Sequence, residues 1–180
     1  MLVNRSFTML KSMSTIAIDI RRATPDDASG IAETHDVSWR HAYTGVLPHK
    51  SLDSMVRRRG VGWWERAIRH STNILVLDIG EEIVGYVTLG PNRVSTLPYE
   101  GEVYELYLKP EYQGVGFGKK LFSLARRELA RIGMKGCVVW ALEENENAVR
   151  FYSNAGGRDV AEGNETFDGS LLKKIAFAWN

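Results

Sequence analysis

Apolar and polar residues alternate over residues 16–22, which predicts a strand. Thr24-Pro25-Asp26-Asp27 then supplies a cap, a first-turn proline and two acids that complement a helix dipole. Ala28, Ile31, Ala32, His35, Trp39 and Ala42 recur at helical spacing and form one stripe, until Gly45 and Pro48 break the pattern. Leu52, Met55 and Val56 predict a second, short helix, and Trp63, Trp64, Ala67 and Ile68 a third ending near Ser71. Two apolar runs, Ile74–Ile79 and residues 83–89, flank Gly80-Glu81-Glu82 and predict a hairpin; the two prolines of residues 91–100 predict a loop.

Residues 103–108 mix β-branched, aromatic and aliphatic side chains over a strand's length, and Pro110 stops the ladder by removing a donor. From Phe117 the positions Leu121, Leu124, Ala125, Leu129 and Ile132 keep helical spacing as far as Gly133. Cys137–Leu142 reads as a buried strand. Asn145 is placed to cap a helix carrying Ala148, Phe151, Tyr152 and Ala155, which Gly156-Gly157 ends. Residues 160–167 and 171–179 around Asp168-Gly169 predict a closing hairpin. The order of elements implies an α/β chain: a mixed sheet flanked by helices, with β-α-β units in its middle that favour a parallel pair. Ligands of such sheets gather at the carboxyl ends of strands, here near Leu108 and Leu142.

Composition narrows the function classes. With 180 residues, one domain over residues 16–180 is the economical reading. A net charge of +1, from 23 basic and 22 acidic residues, gives no whole-surface attraction to nucleic acid or anionic membrane. The single cysteine, Cys137, excludes an intrachain disulfide and makes a cytoplasmic setting the default. The four histidines lack metal-ligand spacing, so no metal is implied. Residues 1–18 contain no acidic residue and no continuous apolar segment, and Met9 and Met13 offer later starts. Residues 1–15 are therefore expected to be a disordered or over-extended N-terminus.

Candidate chemistry concentrates after residue 108. Gly114, Gly116 and Gly118 let the backbone approach a ligand where a helix begins, and free N–H groups at a helix N-terminus favour phosphate. Two familiar fingerprints fail on spacing. A dinucleotide loop begun at Gly114 needs glycine at Lys119, and one begun at Gly116 needs it at Leu121. A Walker loop aligned on Gly118-Lys119 needs glycine at Gln113 and a hydroxyl residue at Lys120.

Gln113-x-x-Gly116-x-Gly118 instead resembles the pyrophosphate-binding signature of the GNAT superfamily of acyl-CoA-dependent N-acyltransferases. Asn145, Ala148, Phe151 and Tyr152 are similar to its second signature, N-x-x-A-x-x-F-Y before a glycine turn. IDIRRATPDDA and SWRHAYTGVLPHKSLDSM resemble its opening strand and substrate-side helices. Gly157 departs from the pattern, which more often has an aromatic there, and implies weaker packing behind the Tyr152 helix.

The resemblance implies a mostly antiparallel central sheet of about six or seven strands, with a splayed parallel pair at the CoA site. It also implies acetyl-CoA as co-substrate and an N-acetyltransferase acting on an amine of a small molecule or peptide. A homodimer is left open, and an acyl-CoA-binding regulator without turnover is the alternative. The family's sites map onto Gln113, Gly114, Val115, Gly116, Phe117, Gly118 and Lys119 (or Lys120) for the phosphates. Leu106, Tyr107 and Leu108 would take pantetheine along a strand edge, with Asn145 beside it. Glu102 is the first choice of base and Glu105, or a water, the second; strict alternation sets the two acids on opposite faces unless a bulge intervenes. Tyr152 matches the family's acid. Trp39, Tyr43 and His35 are candidates for an acceptor pocket or simply for the core.

Overall fold

The computed structural model describes residues 17–71 and 73–180. The expectation about residues 1–15, and the Ile16 end of the first predicted strand, lie outside the described residues. Seven strands, β1 (Ile18–Arg22), β2 (Ile74–Ile79), β3 (Glu82–Pro91), β4 (Gly101–Leu108), β5 (Cys137–Leu142), β6 (Arg158–Phe167) and β7 (Ser170–Trp179), form one sheet in the order β1-β2-β3-β4-β5-β7-β6. Every neighbouring pair is antiparallel except β4 and β5. Helices α1 (Ala28–Tyr43), α2 (His49–Arg58), α3 (Val61–His70), α4 (Phe117–Arg131) and α5 (Glu146–Asn154) complete the order that the hydrophobic pattern predicts. No helix among the described residues is long and apolar enough to cross a membrane.

Alternation along the strands divides the core between the two faces of the sheet. Leu75, Leu77, Val87, Val103 and Leu108 meet Leu121, Phe122 and Leu129 of α4 and Tyr152 of α5. Ile74, Val76, Ile83 and Tyr86 meet Ala28 and Ile31 of α1 and Trp64 and Ile68 of α3. Trp64 is fully buried there, and truncating a side chain so placed costs about 3–5 kcal/mol. A third cluster joins Tyr43, Leu47, Leu52 and Val56 to Leu142 and to Phe167 at the tip of the β6–β7 hairpin.

The helix start predicted at Thr24 forms in register. Asp27 accepts the Thr24 N–H at 2.7 Å and takes the Arg21 guanidinium at 2.7 and 2.9 Å, tying β1 to the turn that opens α1. The packing weakness implied at Gly157 is absent. A Cβ there would lie 2.6 Å from Cζ2 of Trp179, whose indole fills the space and donates to the Ala155 carbonyl at 3.0 Å. The aromatic behind the Tyr152 helix thus comes from β7.

The feature that positions the site is the middle of the sheet. β4 and β5 pair only from Gly101 to Val103 against Cys137 to Val139. On the other edge of β4 the register with β3 shifts: Thr88 lies opposite Glu105 but Leu89 opposite Val103, so Tyr104 is an extra, bulged residue. A bulge bends its strand and increases local twist, and the parallel ladder ends where the bulge begins. β5 stays paired with β7 through Leu142, so β4 and β5 diverge towards their carboxyl ends.

Candidate active site

A cleft of about 850 Å³ opens in this divergence. Leu106, Tyr107 and Leu108 of β4 form one wall, and Asn145, Ala148, Phe151 and Tyr152 of α5 the other. Gln113, Gly114, Gly116, Gly118 and Lys119 close one end, and Ser38, His41 and Ala42 of α1 another. Of the residues predicted to hold a cofactor, Val115 and Phe117 are absent from this lining: Val115 is solvent-exposed and Phe117 packs on the α4 core. Lys119 stands on the cleft, whereas the Lys120 amine lies 6.0 Å over the Phe117 ring.

The glycine loop has the backbone that the sequence suggests. Gly114 and Gly116 adopt φ of +77° and +93°, and Gly116 is the residue from which α4 starts. Among the described residues, no hydrogen bond engages the N–H groups of Gly114, Val115 or Gly116. The first N–H groups of α4 have no intrahelical acceptor, and its first turn carries no acid to compete for them. Open space surrounds Gly116, and the amide of Gln113 is spent on the Leu108 carbonyl at 3.0 Å, which fixes the loop to the end of β4. Ser38 donates to the same carbonyl at 2.9 Å and anchors α1 there. Asn145 caps α5, its Oδ1 accepting from Ala148 N at 3.2 Å, while it also lines the cleft.

Tyr152 is 5% exposed and wedged among Phe122, Phe151, Phe177 and Trp179. Among the described residues its hydroxyl has no hydrogen-bond partner, and burial, followed by the nearby Tyr43 and Cys137, pushes its pKa up. The phenol stays protonated at neutral pH.

The two acids of β4 are brought to one face by the bulge, since their cross-strand partners, Gly90 and Thr88, are two residues apart on β3. Glu102 is 1% exposed and fully engaged: Oε2 accepts Arg93 N at 2.9 Å and Oε1 accepts Arg93 Nη2 at 2.5 Å. Glu105 is held by Arg59 Nη1 on Oε1 and by the Tyr86 hydroxyl, 3.2 Å away, on Oε2. Burial outweighs these donors and raises its carboxyl above the usual range. Neither acid lines the cleft itself, but Tyr107, on the same face as Glu105, does.

His35, Trp39 and Tyr43 belong to an aromatic wall behind this face rather than to the cleft. Trp39 lies 4.9 Å from His35, 5.2 Å from Tyr43 and 5.8 Å from Tyr107, and the Tyr43 and Tyr107 hydroxyls are 2.8 Å apart. The α1 residues on the cleft are Ser38, His41 and Ala42, of which the core stripe includes only Ala42. Their i, i+3, i+4 spacing along the polar flank was the available signal. Cys137 is buried, and burial pushes its thiol up to about 12, so it is not a nucleophile at neutral pH. Among the described residues no cluster of His, Cys, Asp or Glu could hold a metal ion.

The arrangement can bind a diphosphate on main-chain N–H groups and an extended chain along β4, with a phenol on one side of the gap and, behind the Tyr107 wall on the other, a carboxylate. Comparison with known proteins agrees in kind. Residues 35–156 match the family model described as the acetyltransferase (GNAT) family. The uncharacterized N-acetyltransferase YuaI of Bacillus subtilis (strain 168) is 29% identical over 163 residues, covering 90% of this chain and 92% of that protein. The spermidine N(1)-acetyltransferase of Thermoplasma acidophilum is 24% identical over 147 residues, covering 78% and 88%. Among solved structures, the PaiA N-acetyltransferase of Thermoplasma acidophilum in complex with coenzyme A superposes with a TM-score of 0.69 at 22% identity, over 88% of this chain and 98% of that one.

Proposed function

Because the chain belongs to the acetyltransferase (GNAT) family and is thus an acyltransferase, we propose that it moves an acetyl group directly from acetyl-CoA to a primary amine of a small molecule or peptide. The observation that carries this reading is the cleft in the β4–β5 divergence, continuous with an unengaged glycine loop at the start of α4. The residues fit the cofactor: Gly114 to Lys119 offer N–H groups and one lysine to a diphosphate, and Leu106 to Leu108 offer a strand edge to pantetheine amides. Acetyl-CoA, when bound, supplies an activated acyl thioester.

The chain's own groups then handle two protons. An ammonium acceptor must lose one before it can attack, and a β4 carboxylate is suited to take it. Glu102 is closed in by Arg93, three residues further from the cleft; Glu105, although paired with Arg59, lies two residues from the cleft-lining Tyr107 and has a raised carboxyl, so the geometry supports Glu105 better. From the α5 side, Tyr152 Oη serves the departing sulfur. A thiol's ordinary pKa of about 8.5 lies below that of the buried phenol, so Tyr152 stabilises thiolate chiefly by donating a hydrogen bond.

The direct test is release of free thiol from acetyl-CoA across amino acids, polyamines, aminoglycosides, amino-sulfones and peptides. At least one amine should accelerate release. Tight acetyl-CoA binding without release from any of them would favour the regulator reading. For the loop, Gly116→Ala forces a Cβ into left-handed backbone at a cost of about 1 kcal/mol. It is expected to raise KM for acetyl-CoA by roughly fivefold with little change in kcat. An unaltered KM would remove the loop from the binding site.

A further inference from the structure

Behind Glu105 lies a run of buried polar side chains that the chemistry above does not use. His35 Nδ1 is 2.8 Å from the Tyr86 hydroxyl, which lies 3.2 Å from Glu105 Oε2; Arg59, stacked 4.6 Å over the Trp63 ring, holds Oε1. His35 and Tyr86 are both fully buried. Tyr86 has a single hydroxyl proton. When it is given to the Glu105 carboxylate, the Tyr86 oxygen can only accept from His35, so the histidine must carry its proton on Nδ1. The opposite nitrogen, Nε2, is then a bare lone pair, and it is buried without a partner among the described residues. Burial and then the Arg59 charge push His35 down to about 3, so the ring is neutral and cannot supply a second proton. Both carboxylate oxygens thereby face a donor whose direction is fixed from behind.

We propose that His35 and Tyr86 are positioning residues for the acceptor side of the reaction: the chain His35 Nδ1–H, Tyr86 Oη–H, Glu105 Oε2 holds the carboxylate ionised and aimed while α1, α3 and β3 exclude water around it. This rests on the reading of Glu105 as base. A donor to the ionised form lowers a carboxylate's pKa, which here opposes the upward pull of burial. The other charged or titratable groups around Glu105 are Arg59, Arg93 and Glu102, with the phenols of Tyr43 and Tyr107. Tyr86→Phe leaves all of these in place.

The experiment is the pH profile of kcat/KM with one fixed amine acceptor, so that the acceptor's own titration is common to all variants. Tyr86→Phe removes one donor and should shift the acidic limb to higher pH by about half to one unit, with the alkaline plateau recovered to within about twofold. His35→Leu should shift it less, in the same direction. His35→Asn, whose amide can donate from near the Nδ1 position, should restore the wild-type limb; this pair decides the matter if Tyr86→Phe does not fold. A uniform loss at every pH, with the limb unmoved in Tyr86→Phe and both His35 variants, overturns the positioning role. A wild-type limb in Glu105→Gln would instead overturn the assignment of Glu105 itself.

Discussion

Tyr152→Phe is expected to lower kcat by roughly 100-fold while leaving the Kd for acetyl-CoA within about twofold. The substitution deletes one oxygen that no described residue bonds and whose side chain lines the cleft. The phenyl ring keeps its packing against Phe122, Phe177 and Trp179, so the thermal midpoint should be nearly unchanged. Burial keeps Tyr152 protonated, so its hydroxyl is free to donate to a group bound in the cleft, which is why a single hydroxyl carries a large effect. Calorimetry of binding beside steady-state turnover separates the outcomes. If kcat were unchanged, the departing sulfur is served by another group.

Glu105→Gln should reduce kcat/KM by about 10²–10³-fold and remove the acidic limb of its pH profile. The sign follows from the environment. Burial raises the Glu105 carboxyl, so the ionised, proton-accepting form appears only above that raised value, and wild-type activity climbs as pH passes through it. Glutamine keeps the shape and can still accept from Arg59, but its amide cannot take a proton at any accessible pH. Glu102→Gln provides the contrast. It breaks the charge pairing of Arg93 and loosens the β3–β4 connection, so it should lower stability by about 1–3 kcal/mol while leaving the pH limb in place. If the limb instead disappeared in Glu102→Gln and persisted in Glu105→Gln, the two roles would be exchanged.

The exchange of emphasis between these acids marks how far the sequence could be read. The family resemblance singles out Glu102, and strict alternation separates it from Glu105. The bulge at Tyr104 puts both on one face, and only the pairing with β3 reveals it, because a bulge is a relation between two strands. Likewise His35 and Trp39 stand in a stripe of helical periodicity with Tyr43 beside it, but periodicity cannot tell a core wall from a pocket lining. The structure sets those residues behind β4 and turns Ser38, His41 and Ala42 to the cleft. Gly157 looked like a packing defect until Trp179, 22 residues away in the chain, was seen to occupy the space.

What the sequence determined by itself is the local machinery. The glycines that permit left-handed backbone, the helix start that leaves N–H groups free, the Asn145 cap and the Tyr152 helix face each depend on residues within one or two turns of each other. Short-range sterics and hydrogen bonding fix such features wherever the segment lies. What the tertiary structure decided is everything that needs distant segments to meet. The divergence of β4 from β5 and the burial of Tyr152 come from α4, α5, β5 and β7 packing together. The burial that raises Glu105, and the convergence of His35, Tyr86 and Arg59 on it, come from α1, α3, β3 and β4 doing so on the other face. Burial and ion pairing are sums over neighbours in space, and one-dimensional spacing does not contain them.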